Sequence, residues 1–358
     1  MSQDIATVVP PSCDLLALGE PTHWEPAFGT VRNLLFDQVV RLGFRSIALE
    51  TDRVAALKVD DFVRDGVGDL DEVMRTGFSH DFGAFEANRA LVEWMRTYNQ
   101  TRSAAERLTF HGFDTPTEVM SAPSPRRYLQ HARDYLNSDH DIAALAGDDQ
   151  QWSRTEAVMD ASESIGNTAQ AQQLGALAHD LLADLHERAH TLIAATSRAE
   201  WIRAATHLTA GIGLLRYHRQ AARPLEQNTR YALLGDTRDA LMAQNLRDIR
   251  TIEAGRGPTL VFAHNLHLHR ASIIGSLQGA GYVFVAGSLG HSDALGLGRP
   301  APDTYEGVLN SAIPTWGIVE PPTAAPTRTD VDPRMGYFPL DQAVLDGANA
   351  VWHIDSLT

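Results

Sequence analysis

Cysteine is nearly absent: the 358 residues include one, Cys13. A lone thiol excludes an internal disulfide framework and a cysteine-rich zinc site, and it fits a reducing compartment. Cys13 precedes the first strand with no activating partner in sequence, so it reads as structural. Basic residues are scarce as well, 30 against 45 acidic, for a net charge of −15. Nucleic acid and anionic membranes are bound by clustered Lys and Arg, so this balance argues against both and leaves a small-molecule substrate as the expected partner. No run approaches the roughly 18 apolar residues of a membrane span, and the N-terminal stretch lacks the basic start and apolar core of a leader. The expectation is a soluble, cytoplasmic protein.

Several catalytic templates are missing too. No G-x-S-x-G elbow occurs; Gly287-Ser288-Leu289-Gly290 lacks the spacing and reads as a loop after a strand. No G-x-x-x-x-G-K-[ST] loop occurs, and Gly211-Ile212-Gly213 lies in helical sequence. Without a credible nucleophilic side chain, direct attack by water is favoured over an acyl-enzyme.

What is there is strand and helix in alternation. Apolar runs at residues 14–19, 45–50, 108–113, 259–263 and 282–286 read as buried parallel strands, with helical patterns over 27–42 and 85–99. A helix long enough for a right-handed crossover is expected between the last two strands. Residues 125–253 are rich in Ala, Leu, Gln and Arg at helical spacing, which predicts four or five helices. The expected architecture is α/β: a mostly parallel sheet flanked by helices and interrupted by a long all-helical insertion. Residues 1–124 form the first part of the core, 125–255 the insertion that walls a cleft, and 256–358 the second part. The Pro-rich 300–339 tail is irregular, with one strand near 313–319.

Ligands of open α/β sheets bind beyond the carboxyl ends of the strands, and two histidine-bearing segments fall there. They are Leu18-Gly19-Glu20-Pro21-Thr22-His23 and Ala263-His264-Asn265-Leu266-His267. Ester or lactone cleavage by water needs a base near neutral pKa, a group that holds its tautomer, and donors for the developing oxyanion. His23 suits the base, with Glu20 or Glu50 as its orienting carboxylate. His264 suits a second acid/base group or an oxyanion donor. Arg32, nine residues beyond His23, could reach back to a carboxylate or to the reacting oxygen. Trp24 offers an aromatic face for a cation or an apolar ring. His111, Asp114, His267 and Asn265 complete the expected lining. Each has a plainer reading: Glu20 as a helix cap, His111 and Asp114 as structural support, and His267 and Asn265 as partners for backbone groups at the strand end. Met242 reads as core.

His186-Glu187-Arg188-Ala189-His190 matches the H-E-x-x-H zinc pattern, with His179 seven residues earlier. Its Ala/Leu-rich flanks and the lack of a spaced third ligand favour a solvated helix edge.

Taken in order, Gly19-Glu20-Pro21-Thr22-His23, Arg32, Gly43-Phe44 with Leu49-Glu50, Tyr98-Asn99, Phe110-His111-Gly112-Phe113-Asp114, Arg238-Asp239-Ala240-Leu241-Met242-Ala243-Gln244-Asn245 and Ala263-His264-Asn265-Leu266-His267 resemble the erythromycin esterase family. The resemblance spans residues 14–290. It implies that His23 is the general base and that Glu20, Arg32, Glu50 and the later histidines line the site. It also implies a carboxylic ester hydrolase acting on a macrolide-like natural product, for which the acidic balance would suit an amine-bearing substrate. Trp24 departs from the family, which usually has a small residue there. Three alternatives stand beside this: a non-hydrolytic biosynthetic enzyme using the same His/Glu site, a hydrolase holding a divalent metal through Glu20, His23, Glu50 and His264, and a silent binding protein. No cofactor is firmly implied.

Overall fold

Strands covered on both faces need no polar alternation. Leu15, Leu16, Ala17 and Leu18 are accordingly all buried, as are residues 282–286. The computed structural model describes residues 2–118 and 120–355. Its strands are β1 (Leu15–Glu20), β2 (Ser46–Asp52), β3 (Thr109–Asp114), β4 (Thr259–His264), β5 (Tyr282–Leu289), β6 (Trp316–Val319) and β7 (Ala350–Ile354). They form one sheet in the order β3-β2-β4-β1-β5-β7-β6, parallel except for β6, which pairs antiparallel with β7. The fold is thus a mostly parallel α/β sheet flanked by helices.

The pleat divides each strand between two cores. Leu16 and Leu18 join Ile47, Leu49 and Phe262 under the helix Pro26–Arg41, whose Phe28, Val31, Leu35 and Val39 recur at helical spacing. Leu15 and Ala17 join Ala48, Val261 and Phe284 on the opposite face, under Met242, Leu246 and Ile249 of the helix Gln227–Glu253. The helices Arg126–Leu136, Ala169–Glu187 and Arg198–Ala221 enclose a separate core around Leu129, Trp152, Leu174, Leu181 and Leu208. No helix among the described residues is long and apolar enough to cross a membrane.

Four expectations need correction. The helical stretch holds eight helices, because short ones such as Gln150–Ser153 and Thr155–Met159 are too brief to show a period. Two four-residue helices, Asn265–Leu268 and Ile273–Ser276, replace the single crossover helix, and β4 and β5 lie on either side of β1. Gly287, Ser288 and Leu289 are not a loop: they extend β5 and pair with Trp352, His353 and Ile354. Gly287 is there because a side chain would collide with the Gly19 carbonyl. Finally, β7 was not anticipated, although Ala350-Val351-Trp352-His353-Ile354 is a buried apolar run.

Candidate active site

Parallel pairing of β1 with β4 puts Glu20 opposite His264 at the carboxyl ends. After Glu20 the chain turns through Pro21 and Thr22, and Glu25 caps the next helix by accepting from the Ala27 amide. The turn brings His23 back over the strand end, with its Nδ1 2.7 Å from Glu20 Oε1. Its Nε2 lies 3.8 Å from Glu50 Oε2 at the end of β2, and its ring is 5.5 Å from that of His264. Glu50 is tied down on both oxygens. Oε2 accepts from the His264 amide at 2.9 Å; Oε1 accepts from Arg238 Nη2 at 3.0 Å and lies 3.3 Å from His267 Nε2.

The electrostatics follow from this packing. Burial alone would raise Glu50, but the cations of His267, His23 and Arg238 hold it well below the ordinary carboxylate range. Burial opposes a charged His23, yet Glu50 and Glu20 outweigh it and raise the imidazole above its ordinary value. Burial raises Glu20, with the His23 hydrogen bond working in the opposite sense. His264 is pushed down to about 4 by burial and then by the His23 charge. Its Nδ1 accepts from the Leu266 amide, so the proton of the neutral ring sits on Nε2. That N–H is buried and makes no hydrogen bond of good geometry, although the Pro21 carbonyl, which also accepts from the Phe338 amide, lies close enough to work against the downward shift.

Asp114, at the end of β3, accepts from Arg238 through both oxygens, Nε at 2.9 Å and Nη2 at 2.6 Å, and from His80 Nε2 at 3.0 Å. His80 Nδ1 lies 2.7 Å from Glu118. Against the cost of burial, these two carboxylates raise His80 to about 9. His80 and Asp81 have φ of 56° and 57°, left-handed values that side-chain-bearing residues seldom adopt. His267, held between Glu50 and Asp239, is raised to about 10 against the cost of its burial. His23, Glu50, His80, Arg238, His264 and His267 all line one cavity of about 860 Å³. Its helical wall carries Met159, Tyr217, Tyr231 and Leu234.

The family model for erythromycin esterase matches residues 39–348, a span that takes in Glu50, Asp114, Arg238, His264 and His267. The chain belongs to the erythromycin esterase family. Glu20 and His23 lie ahead of the matched span, so their part rests on the geometry above. Among solved structures, the chain is similar to a Bacillus cereus protein (16% identity, TM-score 0.68, 98% of this chain and 90% of that one). It is also similar to a histidine-to-asparagine variant of the erythromycin esterase EreC in its open conformation (17%, TM-score 0.66, 98% and 92%). A third is a succinoglycan biosynthesis protein (16%, TM-score 0.67, 98% and 89%). At these identities the likeness is one of fold. No curated protein matches the chain.

Of the expected site residues, this erythromycin esterase family member brings together Glu20, His23, Trp24, Glu50, Asp114, His264 and His267. His111 and Asn265 fall elsewhere, and Arg32 lines a second, smaller cavity that adjoins Glu20, His23 and Glu50, not the larger one. Arg32 is buried, but its guanidinium donates to Asn33, Asn88 and the Ala87 carbonyl, with no carboxylate within ion-pair distance. His111 lies three residues before the end of β3, where its Nε2 meets Glu253 at 2.8 Å in a different cavity, whereas Asp114 at the strand end bonds Arg238 and His80. Asn265 is buried and spent on backbone: its amide brackets Gly287, accepting from N at 2.9 Å and donating to O at 2.8 Å.

Among the cleft residues that went unforeseen, Arg238 and His80 bear most on its charge balance. Arg238 was visible only as part of a helical motif. His80 carries no periodic signal, since it sits in an irregular turn between helices. The H-E-x-x-H segment is interrupted: one helix ends at Glu187 and the next begins at Ala189, and His186 Nδ1 lies 2.7 Å from the Leu182 carbonyl. No group of three or more His, Cys, Asp or Glu among the described residues is placed to hold a metal ion. Glu20, His23, Glu50 and His264 bond to one another, to cations and to backbone amides.

Proposed function

We propose that the protein is a hydrolase that cleaves an ester or lactone of a hydrophobic, macrolide-like small molecule with water activated by His23. The hydrogen bond between His23 Nδ1 and Glu20 carries this reading. It fixes the proton on Nδ1 and leaves the Nε2 lone pair for a water. Nε2 takes a proton as the water oxygen adds to the carbonyl carbon. Ionised Glu50, 3.8 Å from Nε2, stabilises the imidazolium as it forms. The Nε2–H of His264, which makes no hydrogen bond of good geometry, is the donor for the oxyanion. Collapse breaks the acyl–oxygen bond, and His23 returns its proton to the departing alkoxide.

Among the described residues, the cavity around these groups has no serine or cysteine in its lining, and Cys13 is buried elsewhere with its thiol pushed up to about 12 by burial. The lone thiol also suits a cytoplasmic setting. The test is mass spectrometry of esters and lactones incubated in water enriched in heavy oxygen. Label in the product acid with wild type, and no product with His23→Ala, is expected. Equal turnover by His23→Ala removes the base assignment. Unlabelled or isomerised products would indicate a non-hydrolytic enzyme.

A further inference from the structure

The helix Gln227–Glu253 turns one stripe toward the 860 Å³ cavity. Tyr231, Leu234, Gly235 and Arg238, spaced as one face of a helix, all line it. Arg238 marks the end of the stripe nearest the reacting groups, through its bond to Glu50, so Gly235 lies about one turn farther out. Glycine weakens the interior of a helix relative to alanine, and where it persists there is usually a packing or functional reason. On the adjoining helix Arg198–Ala221 the reason is packing: a Cβ at Gly211 would stand 2.6 Å from Leu129, and one at Gly213 would stand 3.3 Å from Leu241. A Cβ at Gly235 would meet nothing within 4 Å, and the backbone there is not left-handed. Neither packing nor conformation accounts for this glycine. The open space beside it belongs to the cleft.

Tyr217 supplies an independent observation. It is only 5% exposed and shares an apolar cluster with Leu234, yet it lines the same cavity, and its hydroxyl makes no hydrogen bond to any described residue. Burial raises its phenol above the ordinary value, so the group stays protonated and able to donate. It lies within electrostatic reach of Arg238 and Asp114, at the foot of the stripe. A buried tyrosine usually finds a partner for its O–H, and here the cavity is where one can come from.

Resting on the reading of this cavity as the substrate cleft, we propose that Gly235 is a specificity-determining residue: a ring of the substrate lies against the helix backbone there, and the Tyr217 hydroxyl donates a hydrogen bond to an oxygen carried by that ring. Tyr231 and Arg238 stand about one turn to either side and bound the space. Met159 and Leu234 give it apolar contact. The class of molecule that fits is an oxygenated, otherwise apolar ring system. A side chain at 235 would occupy the space that the ring needs, and a ring without the oxygen would leave the Tyr217 hydroxyl unsatisfied.

The test uses two probes of equal ring size: a macrolide lactone bearing ring hydroxyl and keto groups, and a plain hydrocarbon lactone. Binding is measured by calorimetry on full-length His23→Gln protein with and without a second substitution, and turnover is measured with wild type. Gly235→Leu should weaken binding of the oxygenated lactone about tenfold, the scale of overfilling a packed site. Gly235→Ala should weaken it less and raise the melting temperature, because alanine is the better helix former. Tyr217→Phe should weaken the oxygenated lactone about fivefold, the scale of one hydrogen bond, and leave the hydrocarbon lactone nearly unaffected. If Gly235→Leu fails to fold, Gly235→Ala carries the same test. No binding of either lactone, unchanged binding in the Gly235 variants, a lower melting temperature for Gly235→Ala, or equal losses for both lactones in Tyr217→Phe overturns the proposal. Binding that responds as expected without hydrolysis of either lactone by wild type would sink the proposed reaction and leave the ring seat standing. Hydrolysis with affinities that no variant moves would do the reverse.

Discussion

Glu20 and His264 occupy the same rung of the parallel ladder between β1 and β4, yet the site uses them in opposite senses. Glu20 accepts a hydrogen bond from the His23 ring, whereas the His264 N–H makes no hydrogen bond of good geometry. Replacing Glu20 by Gln retains size but removes the charge that favours imidazolium. We expect kcat/KM to fall by about 10- to 100-fold, the range typical when an orienting partner is lost. His23→Ala should cost about 10²- to 10⁴-fold. Steady-state kinetics on both variants decide it: equal losses would mean that the two act only as a unit.

The pH profile should carry the same signature. His23 must be unprotonated to act, and its pKa is raised above 6.5. Activity is therefore low on the acid side and climbs to a plateau through a midpoint above the ordinary imidazole value. In Glu20→Gln the midpoint should move down. A limb at or below 6.5 in wild type would count against the Glu20–His23 pairing.

His80 makes a prediction about stability. Its folded pKa of about 9 exceeds the 6.5 of an unfolded histidine, so its contribution is complete below about pH 6.5 and is lost as pH rises through 9. The amount is on the order of 3 kcal/mol. Thermal unfolding of wild type and His80→Gln, compared at pH 6 and pH 9.5, should show the gap between them narrowing at the higher pH. A gap of constant size would mean that His80 is not held as a cation.

Arg238 joins Asp114 to Glu50. Arg238→Ala leaves two buried carboxylates facing one another, and breaking a buried pair of this kind costs about 3–5 kcal/mol. Arg238→Lys keeps the charge but not the fork that reaches both oxygens of Asp114, so it should recover only part of the loss. Chemical denaturation of the two variants provides the measurement.

Asn265 is expected to matter for the fold. Asn265→Ala strands the amide and the carbonyl of Gly287, each worth about 1–3 kcal/mol when buried unpaired. Urea unfolding should show the loss. A Leu substitution at Asn265 should do no better, because it supplies neither bond.

The parts legible in the sequence were those with local causes. Strands buried on both faces betray themselves as unbroken apolar runs, which is why β1 to β5 could be located to within a few residues. Glu20, His23, Glu50 and His264 could be named because each immediately follows or ends such a run. Arg32 could not be placed by spacing alone: its partners Asn88 and the Ala87 carbonyl lie 56 and 55 residues away, on another helix. His80 was hidden because its position depends on a left-handed turn and on Asp114 from another strand. The end of β5 was misjudged because glycine in a strand reads as a break, when here it marks how closely the β1 backbone approaches.

The helical block keeps its own apolar core, apart from the two that flank the sheet. Much of the cleft wall, at Met159, Tyr217, Tyr231 and Leu234, is borne by that block and by the helix returning from it, while Glu20, His23, Glu50 and His264 belong to the sheet. Under the proposed function, much of the surface that selects the substrate is thus anchored outside the sheet that carries the reacting groups. Mutational drift in the wall can retune which molecule enters without disturbing the proton chemistry, so a single ancestral catalyst of this design could diversify its diet while its engine stayed unchanged.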